Sequence, residues 1–414
     1  MCGAPAEHAG TTACVAGERS MKALVMRRSM ARVGLARVAS ALGASAAVRV
    51  APLEFDSVDV PELPGPGWHR VRTRLAGICG SDLSMIEGHA SAYFDDYVSF
   101  PFVPGHEVVG ELDDGARVVL EPVLGHAARG VALPFDGAAP GDGDDYAHLA
   151  DESVIGAGIQ TGFCCSTGGG WGPELVAHDS QLHRIADDLP DERAVLVEPL
   201  AGGIHAALLA ARGGAAAGAP APLIAVLGAG TMGLAAIAGL ARYVPDATIV
   251  VGARYPHQQS EARRLGAHHV VPAGELARAV RRIDGCRVVG EALSRGAHAV
   301  IDAVGSTDSI ATCLRLARPR GRVVLMGMPG DVTLDLTGLW HRETELVGAY
   351  TYGTETLDDG STVGTFDLAL TLADAIEAER WLSATYRLAD HVDAIAHAAA
   401  AGRRGAIKVA FDHR

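Results

Sequence analysis

Two short glycine-flanked stretches carry side chains able to do chemistry, 27 positions apart: Cys79 in Gly77-Ile-Cys-Gly-Ser-Asp82 and His106 in Pro104-Gly-His-Glu-Val-Val-Gly110. A thiolate and an imidazole are good zinc ligands, and glycines on either side let two loops converge on one ion. A third group, Glu198, lies in the apolar run Val197-Glu-Pro-Leu200. Burying a carboxylate alone is costly, so a metal or a cationic partner is expected beside it. Residue type alone leaves a second reading open, in which Cys79 is an ordinary buried thiol and His106 an ordinary core imidazole.

Different chemistry is written in Gly228-Ala-Gly-Thr-Met-Gly233, which follows the apolar run Leu223–Leu227 and opens a helical pattern. In a strand-to-helix turn of this kind, Gly228 permits the tight turn and Gly230 lets the backbone approach a pyrophosphate. Gly233 lets the helix pack close to the strand, and unpaired N–H groups at the helix start, beginning at Thr231 and Met232, face the phosphates. An NAD site usually places an acid about 20 residues further on to accept from the adenosine ribose. Here the second strand ends Val251-Gly-Ala-Arg-Tyr255, with Ala253 where the acid would fall and Arg254 after it. Losing the acid makes room for a 2′-phosphate, and a guanidinium can grip one, with His257 nearby to assist. The expectation is NADP(H) in preference to NAD(H), against the alternative of a solvated arginine on a turn. Val304 and Gly327, at later strand ends, are expected to line the same cofactor.

These groups need a scaffold that holds loops against one another. The chain has 414 residues, 49% hydrophobic and 20% charged, enough to bury the cores of two domains. From Met21 to about residue 190, Val-rich segments such as Arg70-Val-Arg-Thr-Arg-Leu75 and Arg117-Val-Val-Leu120 are broken by Gly and Pro, as in irregular β structure. Residues 124–170 read mostly as loop, residues 188–211 as one or two helices and residues 213–222 as a small-residue connector. Strands and helices then alternate, the pattern of a parallel sheet covered on both faces. Residues 1–20 lack the apolar centre of a signal peptide and read as a flexible tail. The charge-free stretch 223–241 holds four glycines and starts as a strand, which argues against a membrane span. Seven scattered cysteines suit reduced thiols in the cytoplasm. Lys22 and Lys408 are the only lysines, so arginine carries nearly all the positive charge. A net charge of −14 repels phosphate backbones and acidic membranes, so neither nucleic acid nor membrane is an expected partner.

Taken in order, Cys79-Gly-Ser-Asp-Leu83, Gly105-His-Glu107, Glu198-Pro-Leu200 with Gly203-Ile-His-Ala206, and Gly228-Ala-Gly-Thr-Met-Gly233 resemble the zinc-dependent medium-chain alcohol dehydrogenases. The likeness is greatest to the branch of the sorbitol and threonine dehydrogenases. It continues through Asp302-Ala-Val-Gly305 and Trp340-His-Arg-Glu343, and covers the chain from Met21 to its end. The resemblance implies an α/β protein with two domains. A GroES-like, mostly-β catalytic domain would span residues 21–205, with residues 350–414 folding back onto it, and a Rossmann doubly wound parallel-sheet domain residues 206–349. The site would lie in the cleft between them. Cys79 and His106 would bind zinc, and Glu107 and Glu198 would complete the site directly or through water. Asp82 would accept the free N–H of His106 and fix its tautomer, while Ser81 would touch the alcohol and pass its proton toward solvent. The implied activity is interconversion of a secondary alcohol or polyol and a ketone, with one catalytic Zn2+ as Lewis acid and NADP(H) as hydride partner. A homodimer or homotetramer joined at the Rossmann edges is also implied, with Thr344-Glu-Leu-Val-Gly348 as an edge strand.

The chain departs from the family in several places. Many relatives hold a structural zinc on four closely spaced cysteines. Here residues 130–146 contain Asp136, Asp142, Asp144 and Asp145 but no cysteine, so no structural zinc is expected. Cys164 and Cys165 come too late to replace it and read as packing or pocket lining. Ser84 stands where some relatives carry a proton-relay histidine, and His89 is a loose substitute. Tyr93, Phe94, Tyr97, Phe163 and Trp171 are readable as pocket walls or as loop packing. Two other functions stay open, a zinc-free quinone or enoyl-type reductase of the same fold and a non-catalytic nucleotide-binding protein. The Cys/His/Glu set argues against the first of these.

Overall fold

Every side chain of the strand Leu223–Leu227 is buried, as a strand covered on both faces requires. The computed structural model describes residues 19–212, 221–357 and 359–414, and in it this strand lies inside a six-stranded parallel sheet. The spatial order is His269–Pro272, Thr248–Ala253, Leu223–Leu227, Ala297–Asp302, Ala317–Leu325 and Glu345–Gly348. In chain order this is the 3-2-1-4-5-6 arrangement of the Rossmann fold, whose strand order reverses between Leu223–Leu227 and Ala297–Asp302. Val197–Ala211 and Thr231–Tyr243 pack closely because Gly203 has no side chain; a Cβ there would run into Ala235. The segment Asp191–Ala211 is apolar and long enough to cross a membrane, yet most of it is buried inside the protein.

The second sheet runs Leu382–Tyr386, Lys408–Asp412, Trp68–Gly77, Val108–Leu112, Arg117–Leu120 and Leu182–Arg184, with Glu174–His178 also paired to Trp68–Gly77. Only the pairing of Leu382–Tyr386 with Lys408–Asp412 is parallel. The last residues of the chain thus lie beside Trp68–Gly77, the strand that leads into the Cys79 loop.

The expected domain boundary at 205/206 lies within the helix Val197–Ala211, which packs on Thr231–Tyr243 and Ala297–Asp302. One feature departs from the sequence reading. Two helices, Met30–Ser40 and Ala44–Val50, interrupt the expected β structure between the paired strands Ser20–Met26 and Leu53–Asp59. Ser29 caps the first by accepting from the Arg32 N–H at 3.4 Å, and its alanine content favours helix over strand. The expected tail over residues 1–20 lies outside the described residues except at Arg19, which pairs with Glu174, and Ser20, which begins the first strand. Residues 213–220 of the expected connector also lie outside them.

Residues 124–170 form a lobe of loops with single turns at Ala127–Arg129 and Ala147–Ala150. Irregular chain leaves carbonyls without ladder partners, and the buried Arg129 guanidinium collects four of them. It donates to the carbonyls of Leu124 at 3.0 Å, Asp151 at 2.6 Å, Gly158 at 2.7 Å and Gly156 at 3.4 Å. A second tie runs from Asp142, which accepts from the Thr354 N–H at 2.9 Å and hydroxyl at 2.7 Å and so pins the lobe to the chain beyond the parallel sheet.

Candidate active site

Cys79 occupies the N-cap of the short helix Gly80–Ile86, and its N–H donates to Asp82 Oδ2 at 2.9 Å. The other oxygen of Asp82 faces His106 Nδ1 at 3.6 Å, and neither of these buried atoms has a hydrogen-bond partner. His106 Nε2 is thereby turned toward Ser81 Oγ, 3.5 Å away. Burial opposes charge on His106, but Asp82 and then Cys79 outweigh it and hold the imidazole well above its ordinary value. Cys79, Ser81, Asp82 and His106 therefore form one cluster.

Glu198 joins it from the first turn of Val197–Ala211. Burial pushes its carboxyl up to about 7 against the pull of His106, and the Tyr352 hydroxyl donates to its Oε1 at 3.0 Å. Glu107 has a different fate. It is fully buried beneath the Cys79 loop, and both its oxygens accept from Lys408 Nζ, at 2.5 and 2.6 Å. Gly77 makes the room, since a Cβ there would run into Glu107 Oε2. Lys408 and Tyr352 were missed by sequence reasoning. Lys408 had a signal, as one of two lysines in a chain that otherwise uses arginine; Tyr352 had none.

A thiol, an imidazole and a carboxylate are the donor set of an open zinc site. The Asp82 oxygen beside the unpartnered His106 Nδ1 is the outer-sphere support that a histidine ligand needs. The residues fit zinc by type and by grouping, although among the described residues no three His, Cys, Asp or Glu side chains stand in coordinating geometry.

Of the aromatic residues read as pocket walls, Phe163 lies beside His106, with ring centroids 5.9 Å apart. Tyr93 is exposed, with Phe94 edge-on against it. Trp171 is not a wall. It is fully buried, edge-to-face with Phe411 at 5.2 Å, and its indole N–H donates to the Gly77 carbonyl at 3.3 Å while its backbone N–H donates to that of Pro104 at 2.9 Å. It is a wedge between the Cys79 and His106 loops. Gly105, at φ +96°, fits there because a Cβ would strike the Trp171 ring. Cys164 is buried in the core, and His89 faces Ser40 Oγ at 3.2 Å rather than Ser81.

At the strand-order switch a crevice of about 670 Å³ opens, with Leu227, Gly274, Val304 and Ser306 among its walls. Gly228 has φ +98°, Gly233 lies where a Cβ would run into the Gly228 carbonyl, and Gly230 has open space around it. No side chain caps the helix Thr231–Tyr243, so its first N–H groups are free for a pyrophosphate. The side chains of Thr231 and Met232 turn inward, the hydroxyl to the Ile407 carbonyl at 3.0 Å and the thioether toward Gly202. Buried Asp302 accepts from the N–H groups of Val304 at 2.9 Å and Gly305 at 3.2 Å, which fixes the turn that presents Val304; Gly327 packs against that turn. Ala253 is buried and Arg254 exposed beyond it, its guanidinium 5.5 Å over the Tyr255 ring. His257 Nε2 lies 3.3 Å from the Ala406 carbonyl.

The two glycines separate by experiment. Gly233→Ala should lower Tm and cofactor affinity together, because the new Cβ displaces the Gly228 carbonyl. Gly230→Ala should leave Tm nearly unchanged and weaken cofactor binding roughly tenfold, about 1.4 kcal/mol. Thermal unfolding and fluorescence titration with NADPH check both.

Residues 231–362 match the family described as zinc-binding dehydrogenase, and residues 65–187 the family described as alcohol dehydrogenase GroES-like domain. The sorbitol dehydrogenase of Homo sapiens is 26% identical over 309 residues, covering 72% of this chain and 79% of that protein. The L-threonine 3-dehydrogenase of a Chelativorans species is 26% identical over 299 residues, covering 72% and 80%. The crystal structure of 2R,3R-butanediol dehydrogenase from Bacillus subtilis superposes with a TM-score of 0.65 at 18% identity over 95% of this chain and 100% of that one, a likeness of fold.

Proposed function

Because the chain belongs to the zinc-type medium-chain alcohol dehydrogenases, in the branch of the sorbitol and threonine dehydrogenases, we propose that it interconverts a secondary alcohol or polyol and a ketone by hydride transfer with NADP(H), using one zinc ion held by Cys79, His106 and Glu198. The observation that carries this reading is the gathering of a thiol, an imidazole and an enclosed carboxylate beside the dinucleotide crevice. The two places adjoin, since Thr231 at the glycine turn bonds to Ile407, the neighbour of the Lys408 that underlies the site. When bound, zinc supplies Lewis-acid polarisation of the substrate oxygen and the nicotinamide supplies or takes the hydride. Ser81 Oγ moves the hydroxyl proton. Asp82 holds the proton on His106 Nδ1 and so leaves Nε2 for the metal. Lys408 occupies both oxygens of Glu107, which leaves Glu198 as the acid that meets the ion. Phe163 gives the substrate an apolar wall beside His106.

Buried Ala253 and exposed Arg254 support NADP(H) over NAD(H). The edge strand Glu345–Gly348, with Leu346 and the 78% exposed Trp340 nearby, supports a homodimer through the Rossmann edges. Free thiols at the five described cysteines support the cytoplasm. The test is NADP+ reduction with a panel of secondary alcohols and polyols, before and after 1,10-phenanthroline. Turnover should fall to background on chelation and return with Zn2+. Chelator-resistant reduction of quinones or enones would overturn the reading in favour of a zinc-free reductase.

A further inference from the structure

A cavity of about 380 Å³ opens where the two domains meet, lined by Arg254, Tyr255 and Gln258 of the nucleotide domain and by Gly402 and Arg403 of the C-terminal segment, with alanines between. No carboxylate lines it. Among the described residues neither Arg254 nor Arg403 has an ion-pair partner, and Arg254 is held only over the Tyr255 ring. Two unpaired guanidiniums facing one small polar cavity make a site for an anion of high charge density.

The geometry around the cavity is fixed from both sides. Arg254 directly follows the strand Thr248–Ala253, whose carboxyl end meets the adenosine ribose in a doubly wound sheet. Arg403 lies in the turn Ala401–Arg404, which leads through Gly405 at φ +73° into Lys408–Asp412. That segment is stitched to the nucleotide domain by the Ile407 carbonyl to Thr231 Oγ1 at 3.0 Å, and by the Ala406 carbonyl to His257 Nε2 at 3.3 Å. Gly402 completes the seam, because a Cβ there would run into the Tyr255 ring.

Resting on the NADP(H) reading above, we infer that Arg403 is the second arm of a phosphomonoester site and that the ligand is the cofactor's 2′-phosphate, bridged between Arg254 of one domain and Arg403 of the other. Cofactor choice is then shared by both domains. A bridge of this kind is invisible to a fingerprint read within residues 228–255, since its second arm lies about 150 positions away.

The experiment is fluorescence titration with NADPH, NADH and 2′,5′-ADP, and competition by inorganic phosphate, on the wild type, Arg403→Gln, Arg403→Lys and Arg254→Gln. Arg403 is exposed, so the fold should survive its replacement. Arg403→Gln should weaken NADPH and 2′,5′-ADP at least tenfold and leave NADH within twofold, with Arg403→Lys in between. Phosphate should compete with NADPH more than with NADH. A wild type that binds NADH as well as NADPH would refute the NADP(H) reading itself. A wild type that prefers NADPH, with that preference unchanged in Arg403→Gln, would overturn the role of Arg403 alone. Equal loss of NADH and NADPH would reduce Arg403 to a structural residue, and phosphate binding without competition would show a site for free anions only; either result overturns the inference.

Discussion

Lys408→Met is expected to destabilise the fold by about 3–5 kcal/mol, and adding Glu107→Gln to recover most of the loss. Lys408 Nζ is buried and makes two short bonds to a carboxylate that is itself fully buried. Removing the ammonium leaves Glu107 charged in a place from which water is excluded. The cost is that of an uncompensated charge, which a neutral amide at position 107 relieves. Denaturant unfolding of the two single variants and the double variant completes the cycle. If the double variant were no more stable than Lys408→Met, the pair would not be the electrostatic unit described here.

Arg129→Met should cost at least about 4 kcal/mol, because the guanidinium serves four carbonyls at once and the methionine serves none. The lobe it ties, residues 124–170, has no strand of its own, so no ladder can take over these carbonyls. Unfolding should become less cooperative, and limited proteolysis should cut first between residues 130 and 160. Stability within about 1 kcal/mol of wild type, with no new cleavage there, would show that the lobe is held by other contacts.

The nucleotide half was readable because its determinants are local. Gly228, Gly230 and Gly233 act within one turn, and the strands Leu223–Leu227 and Thr248–Ala253 declare themselves by unbroken apolar runs. The candidate metal site is legible only in part. His106 and Glu107 are adjacent and look equally suited to an ion, and what separates them is Lys408, which arrives 301 positions later. Trp171 in its run of glycines gives the same sequence signal whether it lines a pocket or wedges two loops apart; only its burial and the bond to Gly77 decide. The helices Met30–Ser40 and Ala44–Val50 were hidden by a valine and arginine mixture like that of the strand Trp68–Gly77. Arg403 was silent because a cross-domain contact leaves no periodicity in either segment.

The most direct test of the central claim is elemental analysis of zinc per chain in protein never exposed to a chelator, on the wild type and on Cys79→Ala. The site described here predicts a value near one for the wild type and near zero for the variant, with unchanged far-UV circular dichroism in both. A wild-type value near zero would contradict a zinc site at Cys79, His106 and Glu198, and a value that persists in Cys79→Ala would place the metal elsewhere.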